Sequence, residues 1–240
     1  SNRKILFQGS VIRHREKGDS KMGKILMVNG SPRAPKSNSK QYLQLFQSYW
    51  KHPEISVSIT SKNHGQIWDL ASEASDILLV FPLYADGIPS TLLDFLKAYE
   101  AFPHHYKATV HMIVNCGFLE PEQNAVAVKM IQLFCKENGF SFGSCLCIGS
   151  GEAILGTPFH FLVKRNIRKL SKAIASGCPQ KLSVTMPLSQ KAFVRASTKY
   201  WIRLAQAHQV TPEQMATMEI ENPKILPLKN FIARAFLSLI

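Results

Sequence analysis

The sequence of 240 residues is long enough for one α/β domain with an appended segment, and its hydrophobic content of 45% permits a full core. It contains no run of 18 apolar residues, so it predicts no transmembrane helix. The net charge of +13 favours anionic ligands, but the aromatic and basic side chains do not interleave, which disfavours specific nucleic-acid binding.

Residues 1–21 have the composition of an addition to a folded domain. The segment 13–21 is polar and charged without an apolar period, and Ser1-Asn2 resembles the remnant of a cleaved tag. We expect residues 1–21 to be a tag or a translated leader, disordered or loosely attached, with Met22 as the native start.

From residue 22 onward, short apolar runs alternate with segments of helical period. Five strands are predicted, at residues 24–29, 55–60, 76–81, 108–115 and 142–148. Helices are predicted near residues 38–50, 67–75, 91–101, 122–138 and 158–176. Five strand–helix pairs with short connections predict an α/β domain over residues 22–179, with a doubly wound five-stranded parallel sheet in the order 2-1-3-4-5.

Residues 180–240 are predicted to form a helical C-terminal extension. Three helices are predicted there, over residues 192–208, 211–219 and 230–240. The second begins with a capping sequence, Thr211 followed three residues later by Gln214. We expect the last helix to pack on the domain or on a second copy. Contact with a membrane surface through Lys229 and Arg234 is the less favoured alternative.

A ligand-binding crevice is expected at one edge of the sheet. In a sheet of this order, ligands bind beyond the carboxyl ends of the strands, at the point where the strand order reverses. That point lies between the first and third strands, with the fourth strand beside it. We therefore expect the loops after these strands to share one crevice: the first loop (residues 30–37), the second loop (82–89) and the third loop (115–123).

The first loop and the helix start behind it have the composition of an anion site. They supply four short side-chain donors and one fixed positive charge, on Ser31, Arg33, Ser37, Asn38 and Ser39. The free N–H groups and the dipole at a helix N-terminus favour a phosphate group. An ordinary turn with a Ser or Asn cap is the alternative.

The same stretch nearly matches the loop that binds nucleoside triphosphates, whose pattern is G-x-x-x-x-G-K-[ST]. Pro35 stands where that pattern has its second glycine. Because proline has no N–H group and cannot adopt a positive φ, it cannot complete the phosphate cradle. A nucleoside triphosphatase is therefore disfavoured.

The second and third loops suit a planar ligand. In the second loop two prolines stiffen the chain, Gly87 permits a positive φ, and Tyr84 could form an apolar wall or simply pack within a rigid loop. In the third loop Phe118 suits the cover of a ring. Cys116 is interpreted as an inert thiol rather than a nucleophile, because the sequence places no histidine partner beside it.

Together, the stretches NGSPR…SNS, FPLYADGIPS and NCGFLEPEQN resemble the flavodoxin-like NAD(P)H-dependent FMN reductases, the bacterial flavodoxin family oxidoreductases. The resemblance covers roughly residues 22–178. It implies a flavodoxin-like fold, non-covalently bound FMN, a nicotinamide electron donor and a homodimer. Asp86 departs from the small or polar residue that is commoner at this point of the family's second loop.

The resemblance also implies which positions hold FMN. The phosphate would be held by Ser31, Arg33, Ser37, Asn38 and Ser39. The ring would be lined by Pro82, Leu83, Tyr84, Ala85 and Gly87, and flanked by Asn115, Cys116, Gly117 and Phe118. No catalytic side chain and no metal ligand is assigned, because the flavin carries the chemistry.

These features predict an oxidoreductase that passes electrons from NAD(P)H through FMN to a small acceptor, such as a quinone, a nitro compound or free flavin. A non-enzymatic electron carrier or flavin-binding module is the alternative, disfavoured because flavodoxins are usually acidic and this chain is basic. A scaffold that has lost its flavin is a third possibility. The five scattered cysteines fit a reducing cytoplasm.

Overall fold

The computed structural model of the protein describes residues 23–33, 36–102 and 106–216. Three expectations fall outside the described residues: the leader over residues 1–21, the start at Met22 and the helix over residues 230–240. The end of the helix predicted over residues 211–219 also falls outside them.

A parallel sheet forms the centre of the fold. Its strands are β1 (Lys24–Asn29), β2 (Glu54–Ser58), β3 (Ala74–Pro82), β4 (Thr109–Asn115), β5 (Ser141–Ile148) and β6 (Lys181–Val184). Their order is β2-β1-β3-β4-β5-β6, and every neighbouring pair is parallel. The register places Val28 of β1 opposite Val57 on one side and Leu79 on the other. The apolar runs form central strands because both of their faces are covered by helices.

The prediction of five strands is wrong, because a sixth strand extends the sheet. Strand β6 pairs with β5 from Cys145 opposite Lys181 to Ile148 opposite Val184. It lies in residues that the sequence assigns to the helical extension. Its four residues KLSV include one buried side chain, Val184. So short an edge strand carries no apolar run that would identify it.

Seven helices are present among the described residues. They are α1 (Asn38–Tyr49), α2 (His64–Ser72), α3 (Ser90–Glu100), α4 (Ala125–Glu137), α5 (His160–Ala175), α6 (Gln190–Ala207) and α7 (Pro212–Ala216). Short 3₁₀ turns lie at Pro121–Asn124 and Ile154–Gly156. None of these helices is both long and apolar enough to cross a membrane.

Aromatic side chains dominate the core that α2, α3 and α4 form with the sheet. The Trp68 ring stacks on Phe95 with centroids 4.3 Å apart, and its Nε1–H donates to the Phe95 carbonyl over 2.9 Å. Tyr99 and Phe140 extend this cluster. Helices α1 and α5 pack against each other, and Ser171 Oγ donates to the Tyr49 carbonyl.

The chain divides into two compact units after Met186. The first contains the whole sheet and helices α1 to α5. The second contains α6 and α7. The predicted capping box of α7 is confirmed: Gln214 N–H donates to Thr211 Oγ1, and Thr211 N–H donates to Gln214 Oε1 over 2.9 Å.

Candidate functional site

Backbone hydrogen bonds continue beyond the strand ends and bring the loops to one edge of the sheet. Gly30 N–H donates to the Val80 carbonyl over 2.9 Å, and Leu83 N–H donates to the Asn115 carbonyl over 2.8 Å. Cys116 N–H donates to the Ile148 carbonyl over 2.9 Å. The first, second and third loops therefore start side by side, joined by a fourth loop (residues 149–156) that follows β5.

Residues 29–33, at the start of the first loop, form a tight polar turn. Ser31 N–H donates to Asn29 Oδ1 over 3.1 Å, and Arg33 N–H donates to Ser31 Oγ over 3.3 Å. Ser31 is buried, so its hydroxyl group lies inside the turn. This hydroxyl accepts one hydrogen bond and keeps its own proton to donate.

The N-terminus of α1 follows directly, with Ser37 as its cap. The Ser37 Oγ accepts from Lys40 N–H over 3.2 Å and retains its own proton. The backbone N–H groups of Asn38 and Ser39 have no acceptor among the described residues. A shallow, open depression lies beside this helix end, lined by Lys36, Ser37, Lys40, Gln41 and Gln44. This end of α1 therefore offers donors and positive charge to an anion.

Two of the predicted phosphate-binding side chains are engaged elsewhere. Asn38 Nδ2 donates to the Glu152 carbonyl over 3.3 Å. Ser39 Oγ donates to Asn115 Oδ1 over 3.1 Å, and both of these residues are buried. An anion at this helix end would therefore meet their backbone N–H groups rather than their side chains.

The second loop contains a two-residue turn. Tyr84 N–H donates to the Gly87 carbonyl over 3.0 Å, and Gly87 N–H donates to the Tyr84 carbonyl over 2.9 Å. The two central residues, Ala85 and Asp86, have φ of 45° and 58°, which makes this a type I′ turn. The positive φ expected at Gly87 is therefore found one and two residues earlier, since a type I′ turn requires it at both central positions. Asp tolerates this conformation better than most residues.

In the second loop the first two residues are buried and the aromatic side chain is partly exposed. Pro82 and Leu83 are buried, whereas the Tyr84 side chain is 38% exposed. Burial raises the pKa of Tyr84, the Arg33 guanidinium opposes that rise, and the Glu152 carboxylate adds to it. The Tyr84 phenol therefore lies in the field of charges from the first and fourth loops.

The third loop begins inside the protein and ends in solvent. Cys116 is buried, Asn124 Nδ2 donates to its Sγ over 3.4 Å, and burial raises the pKa of its thiol. This is the environment of a protonated, unreactive thiol. Gly117 is exposed, and Phe118 is 50% exposed. A Cβ placed on Gly117 would meet nothing nearer than Glu152 Oε2, at 3.9 Å, so the space beside Gly117 is open.

The fourth loop is the part of the site that the sequence does not predict. The glycine-rich stretch after β5 suggests a mobile loop at the rim, yet Gly149, Ser150 and Gly151 are buried. Tyr42 OH donates to the Gly151 carbonyl over 2.6 Å, and Gly151 N–H donates to the Cys116 carbonyl over 2.7 Å. This loop joins α1 to the third loop. Two glycines around one small residue at a strand's carboxyl end were the signal that could have indicated this close approach.

The close approach requires glycine. A Cβ on Gly151 would lie 2.7 Å from Asn115 Cβ, and a Cβ on Gly149 would lie 2.5 Å from the Leu119 carbonyl oxygen. Ser150 between them has a φ of 52°. Glu152, which follows, places its carboxylate toward Gly117 and Tyr84.

The residues present fit FMN at both of its ends. For the phosphate, the helix N-terminus offers two N–H groups, and Ser31 and Ser37 each keep a hydroxyl proton. For the ring, Tyr84 and Phe118 expose aromatic surface from separate loops, and Gly117 leaves space between the backbone and Glu152. Among the described residues, no group of three or more His, Cys, Asp or Glu side chains is placed to hold a metal ion.

No protein-family model and no curated protein matches the sequence. Solved structures of similar fold include an NAD(P)H:quinone oxidoreductase from Methanothermobacter marburgensis, with a TM-score of 0.51 and 10% identity over 63% of this chain and 96% of that chain. Another is the Trp repressor binding protein from Bacillus subtilis, with a TM-score of 0.51 and 13% identity over 61% of this chain and 99% of that chain.

At these identities the comparisons establish the fold. The order β2-β1-β3-β4-β5 within the sheet is the flavodoxin-like order, to which this chain adds β6 at one edge. The fold is therefore flavodoxin-like, in agreement with the family resemblance that the three loops carry in the sequence.

Proposed function

We propose that the protein is an FMN-binding, NAD(P)H-dependent oxidoreductase that passes electrons to a small acceptor, namely a quinone, a nitro compound or free flavin. One observation carries the proposal. The donor-rich N-terminus of α1 and two loops with exposed aromatic side chains meet at the carboxyl edge of a doubly wound sheet.

The phosphate of FMN would bind at the start of α1. The N–H groups of Asn38 and Ser39 and the hydroxyl group of Ser37 would donate to its oxygens, and the buried Ser31 would hold the turn behind them. Arg33 adds a positive charge close by. Ser39 and Asn115 would shape the site from inside through their mutual hydrogen bond.

The ring would lie between the second and third loops. Tyr84 and Phe118 would cover it, with the backbone at Ala85 and Gly87 at its edge and Gly117 beneath it. Pro82, Leu83 and Cys116 are buried, so they would support the loops from below rather than contact the ring with polar groups.

FMN when bound supplies hydride acceptance and electron transfer. The residues of this chain bind it, fix its orientation and set the charge around it. Glu152 and Arg33 bring charges of opposite sign to the same region. We assign no acid–base side chain. Assembly as a homodimer and a cytoplasmic location are proposed on the family resemblance.

Two observations favour an enzyme over a simple electron carrier. The M. marburgensis protein of the same fold is named as an NAD(P)H:quinone oxidoreductase. The sequence segment 22–179 has 15 basic and 11 acidic residues, whereas carriers of the flavodoxin type are usually acidic. A mildly positive domain favours the anionic nicotinamide dinucleotide as a substrate.

The test is turnover by the protein after reconstitution with FMN. NADH and NADPH oxidation is followed with menadione or a nitro compound as the acceptor. Oxidation that depends on both FMN and acceptor supports the enzyme. Bound flavin without oxidation of NADH or NADPH would favour the electron carrier. Failure to bind FMN would exclude both the enzyme and the carrier.

A further inference from the structure

Helix α6 carries a row of positive charge and no negative charge. Its 18 residues include four basic side chains, all exposed, and no acidic one. The basic residues recur at every fourth position: Lys191, Arg195, Lys199 and Arg203. Each is offset from the one before by about 40° around the helix, so the row covers about 120° of the surface.

The opposite side of α6 is apolar and aromatic. It carries Phe193, Val194, Tyr200, Trp201 and Leu204. Val194, Tyr200 and Leu204 are 56%, 50% and 39% exposed, and α6 has no buried residue at all. Phe193 and Trp201 are half-buried, and the three exposed side chains lie on the same side of the helix as them. Large apolar side chains exposed together mark an interaction surface rather than ordinary scatter.

Helix α5 shows that positive charge alone does not define this surface. It also carries a cationic row without acidic residues, at Lys164, Arg165, Arg168, Lys169 and Lys172. The other side of α5, however, is buried, with Val163, Ile167 and Leu170 in the core. Helix α5 is a packed helix with a solvated face, whereas α6 combines its cationic row with an exposed apolar face.

We infer that α6 binds an anionic phospholipid surface, with its apolar face in the headgroup region and its basic row against the lipid phosphates. A helix with basic residues on one side and aromatic and aliphatic residues on the other lies in the plane of the membrane interface. Tyr and Trp suit this region because each combines an apolar ring with a polar group.

A nucleic acid or a second copy of the chain would bind only one of the two faces of α6, either the basic row or the apolar face. A nucleic acid would pair with the basic row but leave the apolar residues in water. A second copy of α6 would cover the apolar face, but it offers no acidic residue to pair with either row of cations. The headgroup region of an anionic membrane matches both sides. The inference does not rest on the proposed flavin chemistry.

The experiment is sedimentation of the full-length protein with lipid vesicles. We expect it to bind vesicles of phosphatidylcholine mixed with phosphatidylglycerol, to bind pure phosphatidylcholine far less, and to be released as salt rises. A wild-type protein that does not bind the anionic vesicles at low salt overturns the inference.

Neutralising the row tests its charge. The quadruple variant Lys191→Gln, Arg195→Gln, Lys199→Gln and Arg203→Gln is expected to lose at least about 100-fold in vesicle affinity. Its matched control removes two lysines and two arginines from α5 by Lys164→Gln, Arg165→Gln, Arg168→Gln and Lys169→Gln. The control should stay within about fivefold of wild type, since only general attraction is reduced. Equal losses in both variants would show attraction by net charge alone and overturn the inference.

The apolar face is tested without changing charge. The double variant Val194→Ser and Leu204→Ser should weaken binding by about tenfold or more, because less apolar area enters the interface. Trp201 reports the same event by fluorescence. The other two tryptophans, Trp50 and Trp68, are buried, so a blue shift in emission on adding vesicles comes from Trp201. Trp201→Phe should abolish the shift while the protein still sediments with the vesicles.

Two further outcomes would replace the lipid by another partner. If the Val194→Ser and Leu204→Ser variant turns a dimer into a monomer in analytical ultracentrifugation and leaves vesicle binding unchanged, the face belongs to a second copy. If the basic row is needed for binding RNA or DNA but not vesicles, its partner is a nucleic acid. Either result contradicts the inference.

Discussion

At the residue scale, the cap of α1 has two roles that a substitution can separate. Ser37 accepts the Lys40 N–H and also faces the proposed phosphate position. Asp caps a helix as well as Ser does, so Ser37→Asp should leave the free energy of unfolding nearly unchanged. Its negative charge should raise the Kd for FMN by about tenfold or more.

Titration of FMN and urea denaturation measure the two effects. Gln44→Asp is the control, since Gln44 is exposed on the same face of α1 and receives the same change of charge farther from the helix start. If Ser37→Asp and Gln44→Asp weaken FMN binding equally, the phosphate does not lie at the cap.

A buried histidine shows why one glycine in β5 cannot change. His111 Nδ1 accepts the Ser144 N–H over 2.9 Å, so its Nε2–H donates to Asp76 Oδ1, 3.0 Å away. A Cβ on Gly143 would lie 2.3 Å from His111 Cε1. We expect Gly143→Ala to lower the free energy of unfolding by about 1–3 kcal/mol or more.

Chemical denaturation checks this expectation against Gly65→Ala. Gly65 lies in α2, and no atom lies within 4 Å of the position that its Cβ would occupy. Gly65→Ala should therefore raise the free energy of unfolding by about 0.5–1 kcal/mol. A Gly143→Ala variant as stable as wild type would show that the His111 ring has room to move.

For the elements of the fold, a substitution in the third loop can change FMN affinity without changing the stability of the protein. Nothing lies within 3.9 Å of a Cβ on Gly117, and the residue is not in the left-handed region. Gly117→Ala should therefore keep the thermal stability of the wild type. It should weaken FMN binding several-fold if the ring lies against this backbone.

The contrasting variant is Gly151→Ala, whose Cβ would lie 2.7 Å from Asn115 Cβ. It should lower the melting temperature, because the fourth loop must move away from the third. If the Gly117→Ala variant binds FMN as tightly as the wild type does, the flavin ring does not lie against the backbone at Gly117.

Strands with long apolar runs were predictable, and elements held by tertiary contacts were not. The runs that became β1, β3 and β4 are covered on both faces, so each contains a nearly continuous stretch of apolar residues. Strand β6 has one buried side chain, and its place depends on pairing with β5. No local pattern contains that information.

The candidate site shows the same division. The topological rule predicted that the first, second and third loops lie at one edge of the sheet, and the structure places them there. The hydrogen bond from Ser39 to Asn115 and the position of Glu152 were not predictable, because both depend on contacts between elements that are far apart in the sequence. The sequence indicates only that Gly87 permits a positive φ, whereas the left-handed residues are Ala85 and Asp86, which no glycine marks.

At the scale of the whole molecule, buried ionisable groups make stability depend on pH. Burial raises the pKa of Cys135 to about 12 and raises that of Tyr42 well above its usual value. Above the ordinary thiol pKa of 9.0, the unfolded chain releases a proton from Cys135 that the folded protein keeps. The unfolded state then binds fewer protons, so the free energy of unfolding falls as pH rises, by up to about 1.4 kcal/mol per pH unit for each such group.

Urea denaturation on both sides of the thiol pKa measures this slope. Cys135→Ala should make the slope smaller, since one of the contributing groups is gone. A free energy of unfolding that stays constant, or rises, through this range would contradict the burial of these groups.

The proposed binding of FMN at the carboxyl edge of this sheet can be measured by equilibrium titration. FMN is added to flavin-free protein while flavin fluorescence is followed. We expect saturable binding with one FMN per chain and a Kd of about 1 μM or below, together with quenching of flavin emission beside Tyr84 and Phe118. Binding that fails to saturate at concentrations about 100-fold higher, or binding unaffected by Ser37→Asp and Gly117→Ala, would contradict the account.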